Sequence, residues 1–562
     1  MMTTVERIDT EAANRAGSAA RKSGMESYPK IGFNKMIVVA PDTYVSSQVL
    51  GEATGLDPDR ISIGLGVNKA RLPTYSQSNA TLAANAVYKF IKSVAANDDD
   101  RERFFAEPIN AIYYATESND DFSRPEAVVA LSMATSRLLN ENETLYRPYI
   151  DMLRHVELKQ VTFACAGAGL SLSNALESIY AAYTFGRKES AIILSTDTAV
   201  YDNARSPNAE STQGSSATLV WVTRNPKLLE IEYSKGYGKF TLSYPDFTKF
   251  GNRNPLTYGT FSEIGFVYAA AEAVEELENK YGNGKGLIAV INAFISHVPF
   301  PKQAIYFASF LFEHYLKTYD KELFDELQAK PDIGPSPIDS RKFTDLVREK
   351  LVAFRGKDSD IVDYITKDKE IKAYWDWLKK LREMPDSSDA TGKRRIRRPE
   401  FDAFIKRLNI DSALILPAEV GNSYTGSTHV ALASELLYGN GTDFVVAYYG
   451  SGLITEAFYA KLAAKSRKEI ENGIIVTFGS HDIPLDASQY IAVHENLLRG
   501  DADRTMNAGK IDLINKDMLM LLRDRKEKVL PAGFYLRNRN VDGTWNAAYS
   551  DGTNIVDILP RY

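Results

Sequence analysis

From Ile31 onward, short apolar runs rich in β-branched residues alternate with longer segments whose apolar positions recur every three or four residues. That pattern predicts strands alternating with helices, an α/β fold in which helices cover the sheets. In a first set, residues 111–115 predict a strand leading into Thr116-Glu117-Ser118, and 124–139 a helix beginning at Pro125. Residues 160–165 predict a strand end, 169–185 a helix, 190–195 a strand ending at Thr196-Asp197-Thr198, and 216–222 a further strand. A second set follows Pro226: a strand at 229–233, an alanine-rich helix at 262–281, and a strand at 287–295 running into Ser296-His297-Val298-Pro299-Phe300. It continues with a helix at 427–438, a strand at 443–449 ending in Gly450-Ser451-Gly452, and a strand at 473–478. The two sets look like similar units, although no internal repeat is strong enough to establish duplication. In both, polar candidates gather where strands end, the usual place for ligands in α/β sheets.

The stretch 318–409 departs from this pattern. It is rich in charge and interrupted by Pro331, Pro335, Pro337 and Pro385, with helical periodicity at 341–354 and 368–382 and a mobile loop expected at 384–392. It looks inserted. Trp375 and Trp377, two apart in a helical stretch, cannot share one face, which assigns one to the core and the other to an interface. The run Lys393-Arg394-Arg395-Ile396-Arg397-Arg398 is either a solvated surface or a site for a phosphate-bearing ligand or an acidic partner. Residues 1–33 are expected to be a flexible tail, because they lack the apolar segment of a secretory signal. The expected organisation is thus a tail at 1–33, an N-terminal half at 34–225, a C-terminal half at 226–317 and 410–562, and a mainly helical insertion at 318–409.

Composition narrows the class. With 562 residues, 44% hydrophobic and 25% charged, the chain reads as a soluble globular protein of two to four domains or one large duplicated unit. A net charge of −6 gives no reason to expect nucleic acid or an acidic membrane as partner, and no apolar run is long enough to span a bilayer. One cysteine excludes an internal disulfide and any zinc site built on cysteine pairs, so a reducing, cytoplasmic setting is the simplest reading.

That cysteine, Cys165, lies where the apolar run from Val161 breaks into Ala164-Cys165-Ala166-Gly167-Ala168-Gly169 and a helix begins. A thiol at a helix N-terminus faces the positive end of the peptide dipole, which favours the thiolate. Small neighbours would let a thioester approach the sulfur, with backbone N–H groups placed to hold the oxyanion formed on attack. The alternative is a buried small hydrophobe, the common fate of a free cysteine. Glu117 beside Ser118, Asp120 and Asp121 likewise reads, alone, as a helix-start cluster, and His297 beside Pro299 as a hydrogen-bonded structural histidine.

Read in order, Ala115-Thr116-Glu117-Ser118, Phe163-Ala164-Cys165-Ala166-Gly167 and Ser296-His297-Val298-Pro299-Phe300-Pro301-Lys302 resemble the hydroxymethylglutaryl-CoA synthase family of the thiolase superfamily. Ile63-Gly64-Leu65-Gly66, Asp197-Thr198-Ala199-Val200-Tyr201, Ser211-Thr212-Gln213-Gly214, Gly421-Asn422-Ser423-Tyr424-Thr425-Gly426-Ser427 and Tyr449-Gly450-Ser451-Gly452 agree with it. The resemblance spans about 35–317 and 413–536. It implies a thiolase-like duplicated αβαβα five-layered fold and a Claisen-type condensation of acetyl-CoA with acetoacetyl-CoA, on the mevalonate route to isoprenoids, with no metal or redox cofactor. Under it Cys165 carries the acetyl group, Glu117 removes a methyl proton, and His297 polarises the ketone of the second substrate. Asp197, Thr212, Asn422 and Ser451 would line the substrate pocket, and Lys302, with Lys249 more weakly, would meet coenzyme A phosphates. A homodimer or higher homo-oligomer, and a thiolase supplying acetoacetyl-CoA, are the partners it suggests.

Three features depart from the family pattern: Ala166 stands where many members carry an aromatic, the family's Asp-Phe-Tyr-Lys-Pro segment appears as Asp246-Phe247-Thr248-Lys249-Phe250, and the insertion is large. The rival readings are an enzyme with the same Glu, Cys and His acting on a carrier-protein-bound acyl group in polyketide β-branching, and a catalytically silent thiolase-like scaffold.

Overall fold

The structure is a computed structural model and describes residues 28–559, apart from 120, 122, 204–205, 207–208, 250–253, 283–285, 355–359, 390–393, 507–511, 523–528 and 540–544. Most of the expected N-terminal tail lies outside the described residues, but its last six positions do not, and the final three of these open strand β1, which runs Ile31–Val39 with every residue buried. Strands β2 (Ile109–Ala115), β3 (Glu157–Val161), β4 (Ser190–Ala199), β5 (Gly214–Arg224), β6 (Leu229–Ile231) and β7 (Gly238–Thr241) follow in the first 241 residues. Strands β8 (Ala293–Ser296), β9 (Asp443–Gly450), β10 (Ile454–Leu462) and β11 (Ile474–Thr477) come later. These strands make one 11-stranded sheet in the order β8-β9-β10-β6-β1-β5-β4-β2-β3, with β11 on β1 and β7 on β10. Pairing is mixed: β2 is parallel to β3 and β4, and β8 to β9, whereas β5 is antiparallel to β1 and β4, and β9 to β10.

The principal helices are α1 (Asn79–Ala96), α2 (Ala127–Leu153), α3 (Gly167–Thr184), α4 (Gly259–Tyr281), α5 (Pro301–Tyr319), α6 (Ser427–Tyr438) and α7 (Ala487–Met506). Their contacts define five layers. Helices α1 and α2 pack on each other and cover one face of the β1, β4, β5 part of the sheet, while α3 and α6 touch strands of both its parts. Helices α4 and α5 pack on the far side, α4 against β7, β9 and β10. The period-2 alternation of β1 states the same arrangement in residues: Met36 and Val38 join the cluster that holds α3, whereas Ile37 and Val39 join the one that holds α1 and α2. A strand buried on both faces has no polar side, which is why β1 reads as a continuous apolar run.

Three sequence expectations change here. The run expected to be one strand at 287–295 is a short helix, Leu287–Val290, followed by β8, because a buried apolar run carries no period that separates the two conformations. Within 318–409 there are helices Lys321–Ala329, Ser340–Ala353, Ile361–Thr366, Lys369–Arg382 and Pro399–Arg407. Trp377 and Trp375 both pack inward: Trp377 is buried with its indole N–H on the Gly334 carbonyl at 3.0 Å, and Trp375 stacks on Phe343. Neighbouring helices cover two sides of this segment, so two residues on different faces both find cover. Part of the expected loop at 384–392 is strand, Glu383–Pro385 pairing with Arg395–Arg397; residues 386–389 form a turn, and 390–392 lie outside the described residues. The arginines of the basic run are paired with carboxylates, Arg394 with Asp386, Arg395 with Glu383, Arg397 with Asp411, and Arg398 with Asp332. Their charge is therefore largely met from within the protein. Among the described residues no helix is long and apolar enough to cross a membrane.

Candidate active site

A cavity of about 330 Å³ is lined by residues of both parts of the sheet, and Cys165, His297, Thr212, Asn422 and Ser451 are all on its wall. Each comes from the end of an element. Cys165 sits in the turn between β3 and α3, where Ala164 has φ +36°, a left-handed conformation costly for a residue with a Cβ. The Ala166 N–H closes the turn on the Phe163 carbonyl at 3.0 Å. Gly450 makes room beneath it, since a Cβ there would stand 2.7 Å from both the nitrogen and the Cβ of Ala166. Ala166 is wholly buried in this contact, so the departure from the family pattern lies under the turn.

Glu117 follows β2 and is buried, with both carboxyl oxygens lacking a hydrogen-bond partner among the described residues. Its nearest cation is Lys249, whose Nζ donates to the Glu117 carbonyl at 2.8 Å and lies 4.0 Å from Oε1. Burial raises the Glu117 carboxyl to about 8, against the pull of Lys249 and with help from Asp197. Lys249, the residue whose altered motif put its role in doubt, is thus set against the candidate base. The only sequence signal for it is the partial match at Asp246–Lys249.

For Cys165 the structure reverses the sequence argument. Burial pushes its thiol well above the usual range, and the Glu117 and Asp197 carboxylates push it further, with Lys249 opposing. A helix terminus contributes only about 0.3–1 kcal/mol and burial outweighs it, so the thiol is the resting form.

His297 follows β8. It is buried, and desolvation lowers its pKa to about 3, which leaves the ring neutral. Its Nδ1 shares a hydrogen bond with the Ser427 hydroxyl, its backbone N–H donates to Ala447 at 3.0 Å, and its ring lies near that of Tyr449.

The remaining candidates divide. Asn422 donates from Nδ2 to the Tyr201 hydroxyl at 3.2 Å and accepts the Tyr424 N–H at 2.9 Å, so its amide is held in place. Thr212 bonds the Ala209 carbonyl, and its own carbonyl accepts the Asn422 N–H at 2.9 Å. Gly421 permits that approach: its φ is +84° and a Cβ would fall 2.1 Å from the Gln213 carbonyl oxygen. Ser451 bonds the buried carboxyl of Asp246, which also accepts from the Tyr449 hydroxyl and the Gly452 N–H, each at 3.0 Å.

Asp197 is not on the cavity wall. It is fully buried and spends both oxygens inside the protein: Oδ1 accepts from Thr116 Oγ1, the Glu117 and Ser118 N–H groups and Ser118 Oγ, and Oδ2 from the N–H and hydroxyl of Thr425. It holds the Glu117 loop to the Thr425 segment. Lys302 is not on the wall either; it is half-buried in the first turn of α5, near Arg382, Glu383, Arg397 and Asp411, and burial lowers its pKa. The cation that does line the cavity is Arg60, exposed and without an ion pair among the described residues. No motif in the sequence singles it out.

No family model matches the sequence. The chain is 26% identical over 449 residues to a hydroxymethylglutaryl-CoA synthase of Haloferax volcanii, which covers 79% of this chain and 84% of the relative. It is similar to a solved structure of MvaS in complex with 3-hydroxy-3-methylglutaryl coenzyme A, with a TM-score of 0.59 and 20% identity over 94% of this chain and 100% of the other. The HMG synthase of the curacin biosynthetic pathway in complex with its acetyl donor-ACP has a TM-score of 0.60 at 14% identity, covering 93% of this chain and 100% of that one. The structural likeness identifies the fold as thiolase-like. Taken with the sequence relationship, it makes the chain similar to hydroxymethylglutaryl-CoA synthases and supports an acyl-condensing transferase.

Proposed function

We propose that this protein condenses acetyl-CoA with acetoacetyl-CoA and releases 3-hydroxy-3-methylglutaryl-CoA and free CoA. The observation that carries the proposal is the convergence of the one thiol, a neutral imidazole and a buried carboxyl whose oxygens have no hydrogen-bond partner among the described residues: Cys165 and His297 share the cavity wall, and Glu117 is the strongest charged influence on the Cys165 sulfur.

The Cys165 sulfur attacks the acetyl carbonyl, its bond to carbon forms as the CoA sulfur–carbon bond breaks, and the thiol proton leaves with CoA. The acetyl group is now a thioester, whose methyl protons are acidic enough for a carboxylate to remove. Glu117 takes one, and the carbon left behind attacks the C3 ketone of acetoacetyl-CoA. A base with a pKa of about 8 is well matched to that proton, because a weakly basic carboxylate would leave the step uphill. An N–H of the neutral His297 meets the alkoxide as its charge develops. The proton held by Glu117 returns to the new hydroxyl, and water then cleaves the thioester to a carboxylate and restores the Cys165 thiol.

The CoA-bound relative shares more identity with this chain than the carrier-protein enzyme does, which supports free CoA esters as substrates. On this reading the product supplies the mevalonate route in the cytoplasm. Arg60 stands on the cavity wall and Lys302 does not, which supports Arg60 over Lys302 as the cation that meets a substrate phosphate.

Incubation with labelled acetyl-CoA, followed by peptide mapping, should place the label on Cys165 in the native protein and in Glu117→Gln, and on nothing in Cys165→Ala. Steady-state CoA release with acetoacetyl-CoA present should occur in the native protein alone. Turnover with carrier-bound acetyl groups and none with CoA esters would replace the proposal by the carrier-protein reading; no label from either donor would leave a scaffold.

A further inference from the structure

Ser427 opens helix α6 and is fully buried beside His297. Its hydroxyl oxygen accepts the Val298 N–H at 3.3 Å and shares a hydrogen bond with His297 Nδ1. A serine oxygen that receives one donor still has a proton of its own to place. Among the described residues the only acceptor bonded to that hydroxyl is Nδ1. If Nδ1 carried the ring proton, two donors would face each other or the serine proton would stay buried and unpaired, an arrangement that costs about 1–3 kcal/mol. If the serine donates, Nδ1 is the acceptor and the ring proton resides on Nε2. Nε2 has no protein partner among the described residues, and the ring is on the cavity wall.

We infer that Ser427 is a positioning residue that fixes His297 in the Nε2–H tautomer, so that the imidazole presents a donor, and no lone pair, to the oxygen of a bound ketone. The division of labour in the site follows. Imidazole could serve as either a base or a donor; the serine removes the first choice and leaves proton abstraction to Glu117. The backbone supports the pair from both sides, since the His297 N–H is tied to β9 through Ala447 and the Val298 N–H to the serine itself. The tautomer assignment stands on these contacts alone, whereas its consequence for rate rests on the proposed condensation.

The test has two arms. In native protein labelled with ¹⁵N-histidine, long-range ¹H–¹⁵N correlation, with the His297 signals assigned through His297→Asn, should give the Nε2–H pattern between pH 6 and 8. A protonated Nδ1 would overturn the inference, whatever the protein's activity. For the second arm, Ser427→Ala should lower condensation at least about tenfold while acetylation of Cys165 proceeds at the native rate. Ser427→Thr, which keeps the hydroxyl, should recover most of the loss, and Ser427→Ala should show mixed tautomers. Unchanged condensation in Ser427→Ala would overturn the positioning role. Equal loss of acetylation and condensation, without rescue by threonine, would reduce Ser427 to a folding contact. Absence of any turnover in the native protein would defeat the proposed condensation and leave the tautomer result intact.

Discussion

At the scale of single residues, the site works by withholding solvation. Glu117, Cys165 and His297 are all buried, and burial is the first cause of each pKa shift: up for the carboxyl and the thiol, down for the imidazole. The three groups are therefore all neutral in their resting forms near neutral pH, and charge appears only as protons move. Condensation should accordingly rise with pH as the Glu117 carboxylate forms, with a midpoint near 8 in a pH–rate profile. Lys249→Met removes the cation that holds this value down, so the rising limb should move to higher pH; an unmoved limb would show that Lys249 does not act on Glu117. Stability runs the opposite way with pH. A carboxyl whose folded pKa lies above its usual 4.5 stabilises fully below that value, and the contribution is lost as pH rises through about 8. Glu117→Gln has no such loss, so its stability relative to native protein, measured by urea denaturation, should improve steadily from pH 5 to pH 8.

At the scale of elements, the nucleophile depends on a strained turn and the strand end beneath it. Ala164 holds φ +36°, and Gly450 at the end of β9 leaves no room for a side chain against Ala166. Gly450→Ala should cost about 1–3 kcal/mol in thermal or urea denaturation, as overpacking of a close contact does, and should slow acetylation of Cys165 more than it perturbs the fold. Native acetylation in this variant would show that the turn does not need the contact. The sequence carries a trace of this geometry in its run of small residues, but not its partner. Gly450 and Ala166 are nearly three hundred positions apart, and only the packing of α3 against β9 brings them together.

At the scale of the whole molecule, the Glu117 loop and the Thr425 segment are clasped by one buried carboxylate. Asp197 receives donors from Thr116, Glu117, Ser118 and Thr425. Asp197→Ala should lower the unfolding free energy by about 3–5 kcal/mol, because several buried donors lose their acceptor together. A loss below about 1 kcal/mol would mean that the clasp is dispensable. The insertion belongs to this scale as well. Its Trp377, Tyr374 and Leu381 join the same apolar cluster as α4 and α5, so it is packed into the body of the protein, and Arg397 and Arg398 of its basic run are paired with Asp411 and Asp332.

The linear order of residues already determined the α/β class, the positions of most strands and helices, and the Glu, Cys, His succession, because periodicity and small-residue turns are local properties. Tertiary structure alone decided what those residues are in chemical terms. The helix-terminus argument assigned Cys165 a favoured thiolate, and burial with two nearby carboxylates reversed it. Asp197 moved from the pocket to the clasp, Lys302 away from the wall, Lys249 to the side of Glu117, and Ser427 to the imidazole of His297. Solvation and hydrogen-bond partners are set by what packs around a group from distant parts of the chain, and no local pattern encodes that.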